Sequence, residues 1–312
     1  MITFDKLKII TNIEDIAEID TSAFVTHTMD GEILYYKYSQ KSPFSLLIMA
    51  DKKKGILSIE FTGKILLEDY PQLINRHNIR KCFDAINHLN ICHIDSDAII
   101  EHGVVNKCDV TRDVSSGKMR EIIQQTKQNI INYDKWNCDK YEGNGVVIYK
   151  TVKTARYKER LCIYDKGREM GKARNREFLC SISEGEKVAD YFKGKIRFEL
   201  NIDTSAKVIQ LLEIPNNRLV SVLSAKANPI LKVYDEAIKE RNTTMHFTAL
   251  KERMMAALIR ECNNDLEQVE IEIRNTIPKS TSVRSKMDKF RALFAKMQQG
   301  KFNPVDVRSL IA

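Results

Sequence analysis

Two short stretches carry acidic residues at the spacing a β-strand needs to gather them on one face. In Cys108-Asp109-Val110-Thr111-Arg112-Asp113 the period of two puts Asp109, Thr111 and Asp113 on the same side. In Ile196-Arg197-Phe198-Glu199-Leu200-Asn201-Ile202 the apolar residues take one face, which must be core, and leave Arg197, Glu199 and Asn201 on the other. Carboxylates on a strand face are costly to bury unpaired, so the face is either in water or beside a cation. If the two strands are neighbours, Asp109 and Glu199 come within roughly 6 Å and can share Mg2+ or Mn2+, ions that prefer carboxylate oxygens and keep exchangeable waters. Asp113, on the same face as Asp109, is a further candidate ligand.

Two further motifs place a tyrosine at the end of a strand. In the run from Arg160 to Glu169, Leu161 and Ile163 face the core, so Tyr164 and Lys166 share the opposite side of a strand. In Gly145-Val146-Val147-Ile148-Tyr149-Lys150 the tyrosine closes the preceding strand. A phenol with a pKa of about 10 is ionised in about one molecule in a thousand at neutral pH, so its site must supply a base or a positive charge. Lys166 is suited to that role, with Arg156, Lys158 and Arg160 close in sequence. The basic stretch from Lys150 through Lys153 and Arg156 to Lys158 suits phosphate contacts, and reads equally as a solvated hairpin connection.

These motifs need a scaffold of strands. Glu32 to Ser39, Phe44 to Met49 and Gly55 to Thr62 read as an antiparallel meander, followed by helical spacing from Tyr70 to Leu89. A strand at Val104 to Val114 precedes a helix from about Ser116 to Tyr133. Strands follow at Gly145 to Tyr149, Arg160 to Tyr164 and Lys195 to Ile202, after which the pattern is almost wholly helical. The fold class expected is α+β: an antiparallel-sheet catalytic core over 1–205 flanked by helices, and a helical C-terminal region over 206–312. Near its end Val283, Met287, Phe290, Phe294 and Met297 form a helical stripe that reads as packing, beside a basic face suited to DNA or a partner. No internal repeat or low-complexity tract is visible.

Composition narrows the function classes. Fifty Lys and Arg against 42 Asp and Glu among 312 residues give a formal charge of +8, which favours a polyanionic partner. The longest apolar runs fall far short of the about 20 residues of a membrane span, and Asp5, Lys6 and Lys8 interrupt any signal-like stretch, so a cytoplasmic location is expected. Seven scattered cysteines, never spaced C-x-x-C, argue against disulfides and structural zinc. Gly167-Arg168-Glu169-Met170-Gly171-Lys172 has one residue too few between its glycines for a nucleotide-binding P-loop.

Phe61-Thr62-Gly63-Lys64, Asn78-Ile79-Arg80-Lys81-Cys82-Phe83, Cys108 to Asp113, Tyr164-Asp165-Lys166 with Glu169, and Arg197-Phe198-Glu199 together resemble the gene II replication proteins of filamentous phages. They are similar also to the plasmid rolling-circle initiators of the Rep-trans class; the resemblance covers about residues 56–205. It implies a DNA-nicking enzyme in which Tyr164 attacks the strand, Asp109 and Glu199 bind metal, and Lys166 and Glu169 are accompanying motif residues, Glu169 as a further ligand. Tyr149 is the rival nucleophile. It also implies that Lys150, Lys153, Arg156, Lys158, Arg160 and Arg197 contact DNA. The implied partners are replication-origin DNA, single-stranded or supercoiled, and the host helicase and polymerase, with a homodimer as one admissible assembly. The histidine-based nickases differ: no His-x-His pair occurs among His27, His77, His88, His93, His102 and His246, so a metal here rests mainly on carboxylates, with imidazole help from His93 or His102 left open.

Three rivals remain. Arg76-His77-Asn78-Ile79-Arg80 offers the box of a tyrosine recombinase, but it lies early in the chain and the next tyrosine is Tyr133. A non-enzymatic origin-binding protein would need only the charge and the helices, leaving the carboxylate faces unexplained. A relaxase or single-strand transposase would share the mechanism and differ in biology.

Overall fold

Alternation of apolar and polar residues over many short segments builds one broad antiparallel sheet with two unlike faces. The computed structural model describes the chain apart from 129–135, 142–144, 151–158, 239–248, 263–264, 277–281 and 299–304. Its strands are β1 (Phe4–Asn12), β2 (Ile16–Ala17), β3 (Val25–Met29), β4 (Glu32–Gln40), β5 (Leu46–Asp51), β6 (Ile56–Thr62), β7 (His93–Ile94), β8 (Val104–Ser115), β9 (Trp136–Tyr141), β10 (Gly145–Lys150), β11 (Glu159–Asp165) and β12 (Lys195–Ile202). Helices α1 (Ile79–Asn87), α2 (Ser96–His102), α3 (Met119–Gln128), α4 (Lys166–Met170), α5 (Ala173–Ser181), α6 (Gly185–Phe192), α7 (Ser205–Leu212), α8 (Leu219–Leu223) and α9 (Pro229–Ala237) lie between and after them. The C-terminal helices are α10 (Leu250–Glu261), α11 (Leu266–Thr276), α12 (Val283–Gln298) and α13 (Val307–Ile311). The fold is α+β.

Ten strands form the sheet in the order β3-β4-β5-β6-β1-β8-β12-β11-β10-β9, and β2 pairs with β7 apart from it. One face is apolar: Leu7, Ile9, Ile48, Ile59, Phe61, Leu161, Ile163, Ile196, Phe198 and Leu200 are all fully buried. Helices α7 and α9 pack on this side, where Glu159 of β11 takes an ion pair from Lys207 of α7 at 3.0 Å. The opposite face is polar and carries the candidate chemistry.

Central strand β1 does not stand out in the sequence. Its buried residues are Phe4, Leu7, Ile9 and Thr11, because a register shift between Phe4 and Lys6 breaks the alternation at Asp5. A bulge adds one residue to one strand of a pair and so hides the period of two. The helix read from Tyr70 begins only at Ile79; the segment Gly63–Gln72 is 3-10 and irregular, with Leu67 at φ 53° and Pro71 inside it, and Leu73 at φ 54° follows it.

The chain divides into two compact units, Met1–Lys239 with Val307–Ala312, and Glu240–Asp306. The helices of 205–237 therefore belong with the sheet, although the sequence reading drew its boundary before them. The second unit has its own core of Ala256, Ile259, Val269, Ile273, Met287, Phe290 and Leu293, with Val283, Phe294 and Met297 packed against it, so the apolar stripe of α12 is packing. Among the described residues no helix is long and apolar enough to cross a membrane.

Gly145 opens β10 where two strands and a ring converge. A Cβ there would lie 2.7 Å from the carbonyl oxygens of Ile163 and Tyr141 and 2.8 Å from Cβ of Tyr164. Backbone cannot yield at such contacts as a flexible side chain can, so Gly145→Ala should destabilise the folded state by about 1–3 kcal/mol in urea unfolding. Unchanged stability would show that the strands part there freely.

Candidate active site

The strand registers lay the polar face out in rows. One row runs Thr62, Lys6, Asp109, Asn201, Arg160, Tyr149 and Asn137 across β6, β1, β8, β12, β11, β10 and β9. In the next, Thr111 faces Glu199 and Glu199 faces Cys162. The third sets Asp113 opposite Arg197 and Arg197 opposite Tyr164. Strands β8 and β12 are neighbours, and Asp109 and Glu199 stand diagonally on the same face with Asn201 and Thr111 completing the square.

Glu199 is 8% exposed and is addressed from two sides. The hydroxyl of Tyr164 donates to its Oε2 at 2.8 Å, and Nδ2 of Asn201 donates to its Oε1 at 3.0 Å. Burial, then the charge of Glu199, pushes the Asp109 carboxyl up to about 8, while a hydrogen bond from Asn201 and the nearby Lys6 pull the other way. The same two causes in the same order, burial and Glu199, raise the Tyr164 phenol well above its ordinary range. Tyr141 of β9 packs its ring 5.2 Å from that of Tyr164, which is 4% exposed. The square therefore holds two carboxylates that repel each other and a phenol whose proton Glu199 can accept.

A divalent ion fits the donors present. They are all oxygen, they are crowded enough to raise Asp109, and Mg2+ in particular is commonly held by one or two carboxylates, with water and phosphate filling the other positions. Among the described residues no group of three or more His, Cys, Asp and Glu gathers to hold a metal, so Asp109 and Glu199 are the two carboxylates that would hold an ion here.

Three of the expected roles are corrected by what lies beside this square. Arg197 is fully buried and cannot touch DNA. Its Nε and Nη2 grip Asp113 at 2.7 Å each, its Nη1 donates to the hydroxyl of Tyr70 at 3.0 Å, and Asp5 lies 3.0 Å from the same nitrogen. Asp113 is consequently a counter-ion of Arg197 and not a metal ligand. Glu169 is likewise engaged: Lys166 holds its Oε2 at 2.7 Å, and Arg174 and Asn175 reach Oε1 at 3.0 and 2.8 Å. Burial alone would raise Glu169, but the charge of Lys166 and these hydrogen bonds hold it down to about 2.

Lys166 does not share a strand face with Tyr164. Asp165 ends β11 and caps α4, accepting from the backbone of Arg168 at 2.8 Å, so the chain turns helical at Lys166 itself. Period two stops there and Lys166 points into a buried ionic cluster, its Nζ 5.4 Å from the ring centroid of Tyr70 and 5.6 Å from that of Phe192. Tyr70, Met170, Phe178 and Phe192 form the apolar cluster that seals this end.

The expected DNA contacts fare unevenly. Arg160 is exposed on the polar face and its Nε donates to Asn201 at 2.7 Å. Lys150 points to the opposite face, ion-paired to Glu159 at 2.7 Å and Glu236 at 2.9 Å, which removes it from the row of Tyr149. Lys153, Arg156 and Lys158 lie outside the described residues. Tyr149 is partly exposed and donates to Asp139, two strands away from Asn201. The sequence reading missed Lys6, Asp5 and Tyr70: the first two sit at the β1 bulge, and Tyr70 was assigned to a helix.

Two outcomes follow. The folded protein keeps a proton on Asp109 up to about pH 8, whereas the unfolded chain releases it near pH 4, so stability falls as pH rises between these values. Without metal, Asp109→Asn should lose less stability than the unmodified protein from pH 4 to 8, as followed by thermal unfolding; parallel profiles would refute the burial of that proton. Arg197→Leu leaves Asp113 and Asp5 uncompensated and should cost about 3–5 kcal/mol in chemical denaturation.

Compared with known proteins, the chain matches no family model, no curated protein and no solved structure.

Proposed function

We propose that the protein nicks one strand of DNA and rejoins it through a tyrosine, as an initiator of rolling-circle replication. One observation carries this reading: the Tyr164 hydroxyl is bonded to Glu199, and Glu199 and Asp109 form a crowded carboxylate pair on adjacent strands. A structural tyrosine can hydrogen-bond anywhere, but two carboxyls set this close, one of them buried and with no ion pair to Glu199 among the described residues, are costly unless they serve chemistry.

In this mechanism Asp109 and Glu199 hold Mg2+ or Mn2+, which when bound polarises the scissile phosphate and offsets the charge developing on it. Tyr164 Oη attacks phosphorus while its proton passes to Oε2 of Glu199. The bond from phosphorus to the 3′-oxygen breaks, leaving a 5′-phosphotyrosyl link and, after the oxygen takes up a proton, a free 3′-hydroxyl that can prime a polymerase. Attack of a 3′-hydroxyl on the phosphotyrosine reverses the exchange, so no nucleotide is consumed. Tyr164 is enclosed, so Tyr141 must move from its ring before a phosphodiester can reach the hydroxyl. Arg160 stands on the same face to contact the strand.

The test uses supercoiled DNA carrying the sequence around the protein's own gene, with Mg2+ or Mn2+. Nicked circles and protein that stays attached after denaturation are expected. Tyr164→Phe should abolish both while leaving folding and DNA binding intact. Tyr149→Phe should leave nicking, and Asp109→Asn or Glu199→Gln should weaken cleavage and alter its metal dependence. A covalent product from Tyr164→Phe sinks the assignment of the nucleophile; no product from any form sinks the enzyme class.

A further inference from the structure

The sheet order splits at its middle into halves of identical topology. From the centre outward one half reads β1-β6-β5-β4-β3 and the other β8-β12-β11-β10-β9, each a first strand followed by a four-strand meander whose last member returns beside the first. After that last strand, each half sends its chain back for one bridge to the start of its first strand, Phe4 with Ile74 and Val104 with Arg218.

Sequence supports the match at two independent places. Leu46-Leu47-Ile48-Met49 of β5 corresponds to Leu161-Cys162-Ile163-Tyr164 of β11, and Ile59-Glu60-Phe61-Thr62 of β6 to Phe198-Glu199-Leu200-Asn201 of β12. The ladders agree on the register, because Leu47 faces Glu60 and Cys162 faces Glu199. Extending that register to the first strands equates Lys8 with Thr111 and Lys6 with Asp109. Lys6 and Asp109 are also directly opposite each other, which is where a twofold axis between two antiparallel copies would pass.

In the N-terminal half the chemistry is inverted. Met49 stands for the tyrosine, Lys6 for the aspartate, and the Lys6 ammonium pairs with Glu60, the counterpart of Glu199. Lys8 reaches the same carboxylate only at 3.9 Å, and directly opposite it on β8 stands Lys107, paired to Asp203 at 3.3 Å. Lysines directly opposite on adjacent strands repel, and with side chains 22% and 32% exposed they are not fully screened by water. An anion placed between them turns that repulsion into attraction.

We propose that the ten-stranded sheet is two copies of one five-stranded unit, that the N-terminal copy does not cleave, and that its Lys6 and Lys8, with Lys107 facing them from β8 across the junction, hold a phosphate of a nucleic-acid backbone. The ligand rests on the nucleic-acid reading above. The junction of β1 and β8 thus grips the strand through fixed ammonium groups, and the C-terminal copy presents the acid pair and the tyrosine. The N-terminal copy cannot cut because it has neither nucleophile nor acid pair.

The test is binding of a fluorescent single-stranded oligonucleotide in EDTA, followed by anisotropy over a range of salt, for the unmodified protein and for Lys8→Gln with Lys107→Gln. Removing two like charges should leave thermal stability unchanged or raised, lower affinity about tenfold, and reduce the salt slope by about 0.7, the contribution of one single-strand phosphate contact. Lys8→Arg should bind as the unmodified protein does. The proposal is overturned if the double variant keeps the original affinity and slope, or if the unmodified protein does not bind. Displacement by millimolar inorganic phosphate at constant ionic strength would instead refute the nucleic-acid assignment. Failure of nicking with oligonucleotide binding intact would count against the proposed enzyme alone.

Discussion

Arg197 is fully buried, and a guanidinium does not give up its proton at any pH the protein meets. Its charge must be met inside, and the groups that meet it come from distant parts of the chain: Asp5 of β1, Asp113 of β8 and Tyr70 of the segment after β6. Burying such a cluster is weak as a source of stability but strict about geometry, since each missing partner leaves an uncompensated charge. The rings of Tyr70 and Phe192 close over the guanidinium at 5.6 and 5.5 Å, and α4 to α6 bring Lys166 and Glu169 alongside. One end of the polar face is thereby sealed.

Immediately next to the seal the same face changes character. Glu199 lies one step along β12 from Arg197 on that face, yet its oxygens meet a tyrosine hydroxyl and an amide instead of a cation. Asp109, two residues from Thr111 along β8, is left to share a poorly solvated space with Glu199. The contrast is informative because the chain demonstrably can neutralise buried acids at this face: Asp113 and Glu169 are paired completely. The acid pair that is left crowded adjoins the tyrosine.

The twofold relation between the halves gives this asymmetry a history within one molecule. Two equivalent positions beside the junction carry opposite charges, Lys6 and Asp109, and the counterpart of each nearby residue can be read across the axis. Where the N-terminal half provides its own cation to Glu60, no ion pair reaches Glu199 among the described residues. The repeat is not visible in the bare sequence because the matching segments are four residues long and the connections differ: 63–103 contains a 3-10 segment, two α-helices and a short strand, whereas in the second half α3 follows the first strand and α4 to α6 separate β11 from β12. Only the pairing of strands brings the short matches into one register.

Alternation within β8, β11 and β12 is a local property, written in which residues are apolar, and it was sufficient to place Asp109 and Glu199 on polar strand faces and Tyr164 opposite Leu161 and Ile163. The class of fold followed from the same alternation and from the helical spacing beyond residue 205. What the sequence alone left open was everything that depends on neighbours. Arg197 and Glu199 look alike as polar residues of one strand, and so do Asp109 and Asp113; the tertiary structure separated them, because α4 to α6 cover one pair and not the other. Lys166 was misread for a related reason, since the cap at Asp165 switches the period from strand to helix within a single residue. Lys6 was hidden by the β1 bulge. Period is set by adjacent residues, whereas burial and charge pairing are set by segments 80 to 200 residues apart, whose meeting no local pattern encodes.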